Sequence, residues 1–194
     1  MTFAFDMQTK QTRGAALWDN NLLDTDAELK GFYEECVKAG PYACPIYGSS
    51  AEMIHERVTR LMERLRTQPT AFYNQSSGEH GVVDYDVVKG GLFLTLYDPT
   101  KNGLEFAKAL ASLESGNAEP MWQMSTKAKN RKLFECECSS GGVRPYDGEF
   151  VIAAIACGDG TPVEDTLDEL KTRLENMSKQ SIFADVWPVR ALCA

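Results

Sequence analysis

The chain has 194 residues, 43% hydrophobic and 25% charged, enough apolar residue for a real core and far from the composition that keeps chains disordered. Its formal charge of −8 repels a phosphate backbone, and with no basic face to offset that charge nucleic acid is excluded as a partner. The longest apolar run, FVIAAIAC, falls well short of the roughly 18–20 residues that cross a bilayer, so no membrane partner is expected.

The start, MTFAFDMQTKQTRG, carries no basic stretch followed by an apolar one and reads as no secretory signal peptide. Thr25-x-x-Glu28 has the form of a capping box, and Leu29, Phe32, Tyr33, Cys36 and Val37 follow on one helical face until Gly40-Pro41 stops the run. A second box, Ser49-x-x-Glu52, precedes the stripe Ile54, Val58, Leu61, Met62 and Leu65, and Pro69 closes that helix. TAFYN and HGVVDY have strand character around the turn-forming QSSGE, which predicts a short hairpin with His80 in its turn.

A helix over 84–96 fits Val88, Leu92 and Leu96, with Gly90-Gly91 weakening it unless another helix approaches closely there. Asp98-Pro99 opens a further helix that presents Phe106, Leu110 and Leu113 and ends at Gly116. Residues 117–149 read mostly as loop, with one short helix near Met121 and a basic run from Lys127 to Lys132. FVIAAIACGDG then reads as a short buried strand stopped by a glycine turn. Thr161-Pro162-x-Glu164 is expected to start a helix carrying Val163, Leu167, Leu170, Leu174 and Met177 on one side. Few strands alternate with these helices, which predicts a mainly α fold.

The chemistry that these residues support is sparse. No G-x-S-x-G elbow occurs; NQSSGE and CSSGGV are turns. Cys157 in AIACGDG has the strand-then-turn setting of a nucleophile, yet Ile155 stands where the elbow needs glycine, so a buried or disulfide-bonded cysteine is the favoured reading. His55 belongs on an exposed helix face and His80 in a loop, leaving few options for acid–base work. Cys136-x-Cys138 lacks a second ligand pair for zinc, and no glycine-rich phosphate loop is present, so no metal and no cofactor are expected. The acidic pairs Asp84/Asp86 and Asp165/Asp168 sit where helix caps and first turns call for them. Six cysteines, Cys36, Cys44, Cys136, Cys138, Cys157 and Cys193, form an even set compatible with disulfides, free thiols or metal ligands.

Taken in order, NNLLDTDAELKGFYEECVKAGPYACPIY, SSAEMIHERVTRLMERLRTQP, GVVDYDVVKGGLFLTLYDPTKNGLEFAKALASLESGN, AIACGDG and FADVWPVRALCA resemble the middle portion of tripeptidyl-aminopeptidase-like α/β-hydrolases. These are serine exopeptidase-type enzymes of fungi and actinobacteria, usually secreted. The likeness runs over residues 18–194; residues 1–17 stand outside it as a separate N-terminal segment open to disorder. It implies a helical cap (lid) with a short β-hairpin, set between two halves of a catalytic core whose serine, aspartate and histidine lie outside this chain. No catalytic residue is therefore assigned here. A cap of this kind shapes and gates the cleft for a peptide or ester substrate within the full hydrolase, is inactive alone, and is expected to self-associate through apolar surface. The resemblance further implies disulfides Cys36–Cys44 and Cys157–Cys193, with no counterpart for Cys136 or Cys138. The other reading of the residues is a stand-alone helical module binding a small apolar ligand or a partner helix.

Overall fold

The computed structural model describes residues 18–125, 148–158, 164–187 and 191–193. Among these the protein is mainly helical: α1 Thr25–Ala39, α2 Ala51–Thr67, α3 Tyr85–Thr95, α4 Pro99–Glu114, α5 Glu119–Met124, α6 Gly148–Gly158 and α7 Leu167–Gln180. One two-stranded antiparallel sheet, β1 Thr70–Tyr73 with β2 His80–Val83, lies between α2 and α3 in the chain. The chain divides into two compact units, residues 27–144 and residues 1–26 with 145–194.

In the unit of residues 27–144, α1 buries Leu29, Tyr33 and Cys36, while Phe32 and Val37 at the edge of the stripe are half-buried. Gly40, at φ 79°, ends it by donating its N–H to the carbonyls of Cys36 and Val37, a left-handed stop that glycine adopts without cost. Thr25 is not the cap that the sequence predicts. It lies inside the helix, and its hydroxyl donates to the Asn21 carbonyl at 3.4 Å.

The predicted α2 stripe is buried in full, but its cap is one residue later than expected. Ser50 is the N-cap and accepts from the Met53 N–H at 3.3 Å; Ser49 instead donates to the Met53 sulfur. Two serines in a row make the register of such a box ambiguous, and the extended Ser50 backbone settles it.

The hairpin forms where expected, with Thr70 opposite Val83 and Tyr73 opposite His80. His80 is the first residue of β2 and not part of the turn. Asn74 organises that turn by accepting from the N–H groups of Ser76 and Ser77 at 2.9 and 3.2 Å, and Gly78 takes φ 72°. Gly81 has no room for a side chain, because a Cβ there would meet the Trp122 ring of α5 at 2.6 Å and Phe72 at 2.9 Å.

Asp84 caps α3 by accepting from the Val87 N–H at 2.9 Å, and Asp98 caps α4 by accepting from Lys101 N–H at 3.2 Å. The close approach expected at Gly90-Gly91 exists at Gly91 alone, where a Cβ would sit 3.2 Å from Phe106; Gly90 faces open space. Val88, Leu92, Phe106, Leu110 and Leu113 are wholly buried, and Met121 of α5 joins this core. Each such aliphatic or aromatic side chain contributes about 1.5–3 kcal/mol on burial.

In the second unit the sequence reading needs correction. FVIAAIAC is helix, within α6, and not a strand. A short apolar run does not distinguish the two by periodicity; here its length and its three alanines, the strongest helix formers, decide for helix. The final helix starts at Leu167 and not at Thr161-Pro162, since residues 164–166 are not helical. Its capping box is Thr166-x-x-Glu169: Thr166 Oγ1 accepts from Glu169 N–H at 3.4 Å and Glu169 Oε2 accepts from Thr166 N–H at 2.7 Å. Asp26 ties the end of α7 down by accepting from Ser181 Oγ at 2.7 Å and from Ile182 N–H. Phe183 and Leu22 are fully buried in this unit, and Met177 is buried as well.

Candidate functional site

Among the described residues two disulfides are closed, Cys36–Cys44 with Cα atoms 5.4 Å apart and Cys157–Cys193 at 5.3 Å. These are the two pairs that the resemblance implies. Cys36–Cys44 is buried and joins the last turn of α1 to the loop beyond Gly40. Cys157–Cys193 is half-buried and joins α6 to the 3-10 turn Ala191–Cys193. A sulfur held in a disulfide has no thiolate to attack with, so Cys157 is not the nucleophile weighed from its sequence setting. The setting itself is also gone, because Cys157 lies in a helix.

Among the described residues neither imidazole hydrogen-bonds a serine, threonine or cysteine. His55 is exposed on α2, its ring 5.9 Å edge-on from Tyr33, and His80 is exposed with Nδ1 3.2 Å from the Gly78 carbonyl. Among the described residues no three His, Cys, Asp or Glu side chains gather as a metal would require. Cys136, Cys138, the CSSGGV turn and the basic run of 127–132 lie outside the described residues. Of the acidic pairs, Asp84 is a cap, while Asp86 and Asp168 occupy first turns, where a carboxylate complements the helix dipole. Asp165 stands just before the Thr166 cap.

A cluster of charge around a buried tyrosine, not singled out from the sequence, lies in the unit of residues 27–144. Tyr85, the first residue of α3, is buried, and Lys89 one turn later is buried beside it with Nζ donating to the Tyr85 hydroxyl at 2.5 Å. Arg66 from the last turn of α2 covers the Tyr85 ring, its Cζ 3.4 Å from the centroid; Lys89 Nζ is 5.0 Å from it. Arg66 also pairs with Glu63 at 3.0 Å. Arg66 over the phenol ring joins α2 to α3 by cation–π attraction, while within α3 Lys89 makes a charge-assisted hydrogen bond to the Tyr85 hydroxyl. This arrangement ties two helices together and holds positive charge in place. The sequence signal for it was the i, i+4 spacing of Tyr85 and Lys89.

A second polar clamp joins α2 to α4: Arg57 Nε and Nη2 donate to the two oxygens of Glu114, the first at 2.7 Å. That hydrogen bond to Glu114 is the main reason the Arg57 guanidinium holds its proton more tightly than usual. A third pins the hairpin to α5, through Asn74 Nδ2 donating to Glu119 at 2.7 Å and Gln123 donating to Glu79.

Apolar side chains also stand in solvent. On α7, Leu167 is 68% and Leu174 43% exposed and Leu170 is half-buried, while Met177 is buried; Val163 of the predicted stripe lies outside the described residues. Ile155 of α6 is 51% exposed. Among the described residues no helix is long and apolar enough to cross a membrane. No family model, no curated protein and no solved structure matches the chain.

Proposed function

We propose that the chain acts as the substrate-gating cap of a tripeptidyl-aminopeptidase-like serine hydrolase, with the catalytic serine, aspartate and histidine supplied by other polypeptide. The observation that carries this reading is the disulfide pattern: the two bridges closed among the described residues, Cys36–Cys44 and Cys157–Cys193, are those the resemblance implies. The leucines of α7 support it further, since a roof element presents apolar surface to the cleft below. On this account the chain closes over a peptide or ester substrate, excludes water and narrows access, and does no bond-breaking itself.

The α7 stripe equally suits a stand-alone module that receives a partner helix, because leucines at i, i+3 and i+7 are the anchors of helix-in-groove recognition. Turnover of aminoacyl and tripeptidyl chromogenic substrates by the purified chain separates both readings from a self-sufficient enzyme. No turnover is expected; activity that survives rigorous purification and tracks with the chain overturns the cap assignment.

A further inference from the structure

The sequence holds two Asn-x-Ser triplets, Asn74-Gln75-Ser76 and Asn176-Met177-Ser178, the acceptor pattern for N-linked oligosaccharide. We propose that Asn176 on α7 is such an acceptor and carries an N-linked oligosaccharide. This goes beyond the hydrolase-cap reading and does not depend on it. Two closed disulfides place the folding of this chain in an oxidising compartment, and in eukaryotic cells that compartment also holds the transferase and its lipid-linked sugar.

The fold distinguishes the two triplets. Asn74 has its amide fully engaged: Nδ2 donates to Glu119 at 2.7 Å, and Oδ1 accepts from Ser76 and Ser77 N–H. Its side chain organises the hairpin turn and fastens it to α5. Asn176 is exposed, and among the described residues its amide makes one contact, through Oδ1, which accepts from Lys179 Nζ at 3.3 Å. Among the described residues Nδ2, the atom to which sugar is joined, makes no hydrogen bond, so an oligosaccharide attached there before folding displaces no contact of the fold, whereas one on Asn74 disturbs the turn and its tie to α5. Ser178 is exposed as well, donating to the Leu174 carbonyl at 2.8 Å.

The helix also directs the sugar away from the apolar stripe. At about 100° per residue, Asn176 lies roughly 140° around α7 from the mean direction of Leu167, Leu170, Leu174 and Met177. An oligosaccharide there solvates the polar face and leaves the leucines open. In the transfer, Asn176 Nδ2 displaces a polyprenyl diphosphate from C1 of the lipid-linked oligosaccharide. The N–C1 bond forms, the C1–O bond breaks with its electron pair leaving on the diphosphate, and the amide proton passes to a base of the transferase. It occurs on the extended chain before α7 folds, when the Ser178 hydroxyl is free to be read.

The test is the full chain secreted from a yeast host, its disulfides confirmed closed by intact mass, then treated with peptide-N-glycosidase and mapped by mass spectrometry. The expected result is a mass loss of one oligosaccharide with conversion of Asn176 to aspartate. Both Asn176→Gln and Ser178→Ala should abolish that loss, and Ser178→Thr should preserve it. Should Asn176→Gln fail to fold, Ser178→Ala and the map of the unmutated chain still decide. Asn176 found bare in disulfide-closed protein, with or without sugar on Asn74, overturns the assignment.

Discussion

Glu52 shows how one exposed side chain in the first turn of α2 acts. Its carboxylate accepts first from its own backbone N–H and then from the Ser50 hydroxyl, which hold it below the usual range for a glutamate. A carboxyl whose folded-state pKa is depressed adds stability above its unfolded pKa and loses it as the pH falls through the folded value. NMR titration should therefore place the Glu52 midpoint below that of a free glutamate, and Glu52→Gln should flatten the acid limb of the stability curve slightly. A midpoint at or above the free value contradicts the cap geometry. At Gly81 the constraint is space. Gly81→Ala places a methyl group 2.6 Å from the Trp122 ring and 2.9 Å from Phe72, and overpacking of this kind costs about 1–3 kcal/mol. Urea denaturation measures that loss; an unchanged midpoint sinks the packing argument. Gly81 did not advertise this role, since a glycine in a strand fits several local structures, whereas the Ser49-x-x-Glu52 pattern placed Glu52 at the start of α2 and missed only the register of the cap.

Among the elements, α2 is the best organised, with its stripe in the core, Arg66 over Tyr85 and Arg57 clasping Glu114 of α4. The Arg57 and Glu114 side chains are 39% and 23% exposed, so solvent screens the pair, and a double-mutant cycle should return a coupling of about 1 kcal/mol. Zero coupling would mean the clasp holds nothing. Amphipathic spacing made α1, α2 and α4 legible, because a period of 3.6 with glycine or proline stops has few other readings. For α6 it failed, because an apolar run with little polar contrast carries no period. In α7 the spacing is right, yet among the described residues Leu167 and Leu174 stay exposed, and burial cannot be read from a stripe alone. Leu167→Ser with Leu174→Ser should reduce self-association in sedimentation velocity while changing stability by no more than about 0.5 kcal/mol, as exposed positions allow. Association unaltered by the pair of changes means another surface is responsible.

At the scale of the molecule, the two bridges are the main covalent constraints seen. In the chain-entropy model, Cys36–Cys44, spanning 8 positions, is worth about 2.5 kcal/mol, and Cys157–Cys193, spanning 36, about 4 kcal/mol. Cys36→Ser with Cys44→Ser should lower the unfolding free energy by roughly the first amount; no loss would make that bridge incidental. Composition foretold a folded chain and apolar spacing a mainly helical one, but not its division into two units, one of them assembled from residues far apart in sequence. Contacts that close long loops leave no local trace. The polar clamp at Tyr85 was equally hidden, since Arg66 reaches it from another helix. Whether these helices roof an active site is decided most directly by sequencing the transcript on both sides of the 194-codon segment. The cap account predicts an in-frame G-x-S-x-G upstream and in-frame aspartate and histidine of a triad downstream. Reading frames that close on both sides without them contradict it.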